Sequence, residues 1–196
     1  MTGRTALDSN GSPTSSLTFN RVGDTYTLTG ASSPSHSIIG LDQFTYWKNR
    51  WHKTTEIWSN NFWPMDNNNE DAKDPMFNGV KQFTDSKVTY PAGDDGKPHN
   101  SYFGMTFSVG FTLPESYVGP LEYYFYGDDD MWVFLDGQLV CDIGGVHSSV
   151  GEYVNLWDYI AEGREGHGTG EHTLQVFYTE RGASGSSCWM QYTIPN

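Results

Sequence analysis

Apolar and polar residues alternate along most of the second half of the chain. From residue 102 onward, short runs keep this period of two, at 102–111, 121–126, 131–135, 138–143, 173–179 and 188–194. Alternation of this kind marks strands with one buried face. The segments between the runs are rich in Gly, Asp or Ser, the residues that close turns. Earlier, Leu17-Thr18-Phe19 and Tyr26-Thr27-Leu28 alternate around Gly23-Asp24, which predicts a first hairpin. Residues 41–65 carry Trp47, Trp51, Trp58, Phe62 and Trp63 without a regular period, and are expected to form long packed loops with short elements. The one helical candidate is the short stretch 154–162. Residues 1–16 are polar and rich in Ser, Thr, Gly and Pro, as in a tail or linker, leaving 17–196 as a single domain. Many short strands, turns between them and no repeat of fixed period predict an all-β antiparallel sandwich with little helix.

One hairpin can be read in detail. Asp136-Gly137 lies between two apolar runs, and a two-residue type I′ turn favours this pair because both centres need positive φ. A regular ladder from that turn pairs Leu135 with Gln138, Val133 with Val140, Met131 with Asp142, Asp130 with Ile143 and Asp129 with Gly144. The triplet Asp128-Asp129-Asp130 and the segment Gly144-Gly145-Val146-His147 then sit together, about 17 Å from the turn.

Charge narrows the partners. Acidic residues number 24 against 11 basic ones, a formal charge of −13, which repels nucleic acid and anionic membranes. The same excess suits divalent cations, or keeps a secreted protein soluble. No apolar run is long enough to span a bilayer. Met1 opens onto Thr2-Gly3-Arg4 without an apolar leader, so a cytosolic chain and a piece of a longer secreted precursor both stay open. Cys141 and Cys188 are either one bridge or two buried thiols. They are expected on neighbouring strands, Cys141 sharing a face with Leu139 and Ile143, Cys188 with Met190 and Ile194. The Asn-rich acidic run at 66–74 is not an EF-hand loop, since its sixth and twelfth positions are Asp71 and Phe77 where Gly and Glu are needed.

Three adjacent carboxylates at a strand end repel one another unless a positive charge lies among them. A cation is one answer and a solvated acidic turn the other. With oxygen donors at hand and little His or Cys nearby, calcium suits the triplet better than zinc. His147 is either a hydrogen-bonding neighbour of those carboxylates or a buried, satisfied histidine. Glu180-Arg181 either orders the following loop through an ion pair, the preferred reading, or is a plain surface pair. Trp132 and Trp189 lie within strands and are assigned to the core, whereas Trp157 and Tyr159, near a loop, are candidates for stacking on a ligand.

The segments Gly127-Asp128-Asp129-Asp130-Met131-Trp132-Val133-Phe134-Leu135-Asp136-Gly137, Asp142-Ile143-Gly144-Gly145-Val146-His147 and Phe177-Tyr178-Thr179-Glu180-Arg181 resemble the fibro-slime domain. Phe62-Trp63-Pro64-Met65 and Tyr102-Phe103-Gly104-Met105 match its upstream pattern, so the resemblance runs from about residue 60 to 196. It implies a jelly-roll-like sandwich of the protective-antigen type, the fold of lectin-like modules in yeast flocculins and bacterial adhesins. It also implies calcium held by Asp128 and Asp129 across a cis peptide, with further ligands from the loop at 181–187. Flocculin-type sites have an Asn in that loop. Here Gly182-Ala183-Ser184-Gly185-Ser186 offers carbonyls or a hydroxyl, with Ser184 as the candidate.

The expected function is that of a calcium-dependent, carbohydrate-binding lectin module in a bacterial surface adhesin or pilus-tip protein. It would be secreted or cell-wall anchored, monomeric as an isolated domain, and would engage a glycan or other ligand on a host or neighbouring cell. Asp130 and His147 would hydrogen-bond around the ion, and Trp157 or Tyr159 would offer an apolar face to a sugar ring. The alternative is a structural module of a surface fibre that calcium only stiffens. An enzyme is not expected: adjacent carboxylates lack the separated roles of glycoside hydrolysis, and no GxSxG, HExxH or phosphate loop occurs.

Overall fold

A computed structural model describes residues 17–31, 44–47, 50–53, 62, 102–181 and 186–195. The described residues form eleven strands: β1 Leu17–Val22, β2 Thr25–Ala31, β3 Phe44–Trp47, β4 Arg50–Lys53, β5 Tyr102–Leu113, β6 Glu122–Gly127, β7 Asp130–Leu135, β8 Gln138–Ile143, β9 Val150–Asn155, β10 Gly170–Arg181 and β11 Cys188–Thr193. They make two antiparallel sheets, one ordered β1-β2-β11-β6-β9-β4-β3 and the other β5-β10-β7-β8. The protein is an all-β sandwich, as the alternation predicts.

The period of two decides what lies between the sheets. Met131, Val133 and Leu135 of β7 and Leu174, Val176 and Tyr178 of β10 are buried and directly paired across their strands. They meet Tyr123 and Phe125 of β6 and Cys188, Met190 and Tyr192 of β11 in one continuous core. Trp189 and Tyr126, paired across β11 and β6, are buried as well but stand outside that cluster, so the large sheet is covered on its other side too. Trp132 departs from its assignment to the core. It pairs with Phe177 on the outer face of the small sheet and is only partly buried.

The first hairpin forms around Gly23 as expected. So does the type I′ turn, with φ of 51° at Asp136 and 81° at Gly137. Its carboxylate is used twice: Thr173 N–H donates to Asp136 Oδ1 at 2.8 Å, and His172 Nδ1 lies 2.6 Å from Oδ2. The register beyond the turn is corrected. Phe134 pairs with Leu139, but Val133 pairs with Cys141 and Met131 with Ile143, because Val140 forms a bulge. An extra residue lets Val140 and Cys141 both turn inward, and leaves Leu139 on the outer face, 42% exposed, away from Cys141.

Two further expectations are corrected. The helical candidate at 154–162 is the end of β9 followed by one 3-10 turn, Leu156–Tyr159. Val154 and Tyr153 instead continue the pairing with β6. Cys141 and Cys188 are both buried, as free thiols, but on opposite sheets and not on neighbouring strands. A buried face was legible in each run; which sheet each run joins was not.

A carboxylate cluster at the crossover between the sheets

β6 ends in the large sheet at Gly127 and β7 starts in the small sheet at Asp130. Asp128 and Asp129 are the whole connection. A second crossover, from the end of β10 at Arg181 to the start of β11 at Cys188, passes between the same two sheets. The aspartates bind both ends of that second crossover. Asp128 N–H donates to Ser187 O at 3.1 Å, and Ser187 N–H donates back to Asp128 Oδ1 at 2.6 Å. Asp129 Oδ2 accepts the backbone N–H of Arg181 at 2.6 Å. Each carboxylate thus takes an N–H that a strand ladder no longer reaches.

The approach is close enough to dictate residue type. A Cβ on Gly127 would stand 2.2 Å from Ser187 O and 2.6 Å from the Phe125 ring, so glycine is required. The Asp128–Asp129 peptide is not cis, and no cis bond occurs among the described residues. The chain turns instead through Asp129, whose φ is 57°. A left-handed aspartate is a locally strained conformation, held here by the carboxylate bonds on either side.

The acidic triplet is split. Asp130 belongs to β7, and its carboxylate lies on the outer face of the small sheet, where Thr179 Oγ1 donates to Oδ2 at 2.7 Å and Gly145 N–H to Oδ1 at 2.6 Å. Arg181 closes on it with Nε 2.6 Å from Oδ2 and Nη2 3.0 Å from Oδ1. Burial alone would raise the Asp130 pKa, but those hydrogen bonds and the guanidinium outweigh it and hold the acid below its ordinary range. With both oxygens engaged, Asp130 is a structural anion, not a group waiting for a cation.

Glu180 takes the third place. Adjacent residues of a strand point to opposite faces, so Arg181 reaches Asp130 outside while Glu180 turns into the sandwich, 2% exposed. The two do not pair with each other as expected from their adjacency. Burial first, and then the charge of Asp128, push the Glu180 carboxyl up to about 9, with further contributions from Asp129 and from a hydrogen bond with its side chain. Tyr178 also donates to Glu180 Oε2 at 3.2 Å. Asp128 is raised to about 6, again by burial first, against hydrogen bonds from Ser187, its own backbone and Ser149. Asp128, Asp129 and Glu180 therefore form a carboxylate cluster that carries a proton at neutral pH.

Phe62 opens one of the upstream motifs, and it meets the same site. Its N–H donates to Ser186 O at 3.1 Å, and Ser186 Oγ donates to Phe62 O at 2.7 Å. Ser187 Oγ is buried and has no partner among the described residues. Ser184 lies outside the described residues, as do the runs at 66–74 and 1–16. His147 approaches no carboxylate of the cluster in the described contacts. Its Nδ1 lies 2.9 Å from Ser148 O, and its buried Nε2 has no partner among the described residues. Trp157 is corrected: it is 4% exposed, stacks on Tyr117 at 6.2 Å and donates from Nε1 to Gly119 O at 2.9 Å, so it is core and no platform. Tyr159 is half-buried and lies on an open cleft elsewhere, between β8 and β9.

Among the described residues, no group of three or more His, Cys, Asp or Glu side chains is placed so that it could hold a metal ion. The chemistry of the cluster nonetheless fits a hard cation. Its donors are all oxygen, and its mutual repulsion is now relieved by a proton on Glu180, which a divalent ion would displace. Sequence alone marks Glu180 only beside Arg181 and Ser187 only as the end of the loop at 181–187, and gives neither a place in the cluster. The period of two from Leu174 to Glu180 could have found the first, since it places Glu180 on the inward face.

No family profile matches the chain. Protein psiE of Dictyostelium discoideum is 36% identical over 129 residues, covering 65% of this chain and 21% of the relative. Protein psiD of the same organism is 33% identical over 130 residues, 66% of this chain and 21% of the relative. Protein psiI matches at 33% over 96 residues, 49% and 12%. A β-D-glucuronidase structure from Dictyoglomus thermophilum aligns over 47% of this chain and 21% of its own, with 10% identity and a TM-score of 0.30, too slight a likeness to carry an argument. The chain is thus similar to a segment making up about a fifth or less of these much longer Dictyostelium proteins.

Proposed function

We propose that this sandwich is a calcium-dependent, non-catalytic ligand-binding module of a longer secreted or cell-surface protein. The observation that carries the reading is the cluster of Asp128, Asp129 and Glu180 where two crossovers meet. Buried like charges crowded together are costly, and a group of three gains most from a cation. Calcium would be held by Asp128, Asp129 and Glu180, with Ser184 or carbonyls of its loop as further donors. Bound there, the ion offers vacant positions to ligand oxygens such as vicinal sugar hydroxyls. Asp128, the most accessible of the three, marks the side from which a ligand would reach it.

One observation favours a second reading, in which calcium only stiffens the fold. Asp129 is 3% and Glu180 2% exposed, so an ion seated deep between them would have little open face. Calorimetric titration of chelator-treated protein with calcium tests the cation, and glycan-array binding with and without calcium tests the ligand. Calcium binding that Asp128→Asn weakens, together with calcium-dependent glycan binding, supports the module. Calcium binding with no glycan response favours the stiffening role. No calcium binding at all rejects both.

A further inference from the structure

The small sheet turns one face to the core and the other outward, and the outer face carries aromatic rings. Its strand order β5-β10-β7-β8 and the pairings within it set those side chains in rows. Thr106, Phe177 and Trp132 stand side by side in one row. Ser108, Gln175 and Phe134 stand in the next, which Leu139 of β8 completes. Phe177 is 38% and Leu139 42% exposed, while Trp132 and Phe134 are half-buried. The rings are held in place. Phe177 meets Phe134 edge to face, with centroids 5.6 Å apart and planes at 83°. The backbone of Gly144 lies against the indole, since a Cβ there would stand 3.3 Å from Trp132 Cζ2. Rings fixed in this way need little further ordering when a ligand arrives.

Polar groups flank the rings. Among the described residues nothing hydrogen-bonds to the hydroxyls of Thr106 and Ser108, the Gln175 amide or the Trp132 indole N–H, and both hydroxyl residues are exposed. Charge lies at the margins only: Asp130 and Arg181 neutralise each other at one end, and Asp142 stands at the β8 edge. The chain as a whole carries −13, a field that repels polyanions and a second copy alike. Size argues in the same direction. None of the four apolar side chains is more than 42% exposed, so together they offer at most roughly 400 Å². A stable protein partner covers about 800 Å² on each side, whereas a short run of sugar rings needs far less. A pyranose turns C–H bonds outward from its faces and hydroxyls from its rim, so its face suits an aromatic ring and its rim suits hydroxyl and amide groups. A β-1,4-linked chain is extended and flat enough to lay successive rings along a sheet.

We propose that the outer face of the small sheet is a binding platform for an uncharged, extended polysaccharide, with pyranose rings stacked on Phe177 and Trp132 and their hydroxyls bonded by Thr106, Ser108 and Gln175. Two sources share that chemistry, a β-1,4-linked glucan and its N-acetylated amino-sugar counterpart. The platform needs no cation and does not depend on the carboxylate cluster.

Chelator-treated protein is titrated with cellohexaose, chitohexaose, maltohexaose and hexagalacturonate while its amide shifts are followed. Cellohexaose or chitohexaose is expected to bind, with shifts centred on β5, β10 and β7, and the stronger of the two identifies the source. Maltohexaose, whose chain coils, and the anionic hexagalacturonate are expected to bind at least about tenfold more weakly. Phe177→Ala, at an exposed position, is expected to weaken the β-linked chain about tenfold. Val118→Ala, an apolar residue 57% exposed outside this face, is expected to leave binding unaltered, and thermal melts verify that both variants fold. No binding of either β-linked chain, equal binding of hexagalacturonate, or equal effects of the two substitutions would overturn the proposal. So would a dimer in sedimentation that Phe177→Ala dissolves, since the face would then join two copies. Chelator is present throughout, so a failure here leaves the calcium reading untouched, and a glycan response that appears only with calcium belongs to the carboxylate cluster.

Discussion

Glu180 and Arg181 are chain neighbours whose fates are opposite, one a buried acid, the other the exposed half of an ion pair with the buried Asp130. Glu180 yields a pH prediction whose sign follows from its raised pKa. The native state keeps on Glu180 a proton that the unfolded chain releases above its ordinary value near 4.5. Stability without divalent cations is therefore greatest at low pH on this account and falls as pH rises toward about 9. Asp128, raised to about 6, adds to the fall only in the lower part of that range. In chelator, the melting temperature of the parent protein should drop between pH 6 and pH 9, and Glu180→Gln should flatten that drop. A parent curve already flat over this interval would contradict the protonated cluster. The thiols yield a second expectation. Burial, with the nearby acids, pushes Cys141 up to about 12 and Cys188 well above the usual thiol range. Both should resist alkylation at pH 8 until the protein is denatured, and rapid labelling of either in the native state would refute the packing.

At the scale of elements, the two crossovers behave as one unit because Gly127 lets them touch. Gly127→Ala sets a Cβ against a backbone oxygen that cannot swing away, and such overpacking costs about 1–3 kcal/mol. In a domain of this size that lowers the melting temperature by about 2–12 °C. Gly110→Ala is the control. It lies in β5 with nothing within 4 Å of the added Cβ, and its melt should stay within about 2 °C of the parent. Equal melts for the two variants would mean that the crossovers are not in contact in solution. The Asp136 turn makes the companion case of an element visible in advance: Asp-Gly between apolar runs specified a left-handed pair, and both residues adopt it. The bulge at Val140 was not visible, since a bulge changes no residue type and is chosen by how two sheets close over a shared core.

For the whole molecule, calcium linkage is the decisive measurement. A ligand that binds only the native state, at a hundredfold excess over its Kd, adds about 2.7 kcal/mol. That corresponds to a rise of about 5–11 °C for a domain of this length. Melting should fall in chelator and recover with calcium, and Asp129→Asn should blunt the recovery. Identical melts in both conditions would remove the cation from the account. The sequence by itself determined the all-β class, the position of most strands, both hairpin turns and the inward face of β11, because those follow from alternation and turn chemistry within a few residues. It also drew Asp128 and Asp129 to notice. It overextended the helical stretch, which is one 3-10 turn, and misjudged the register beyond Val133, the places of the two cysteines and the roles of Trp132 and Trp157. Only the tertiary structure decided that Asp130 leaves the triplet for Arg181 while Glu180, some fifty residues away, replaces it. The reason is physical: the face on which a side chain emerges is a local property of a strand, whereas the strands that meet it depend on sheet order, set by the packing of the whole core.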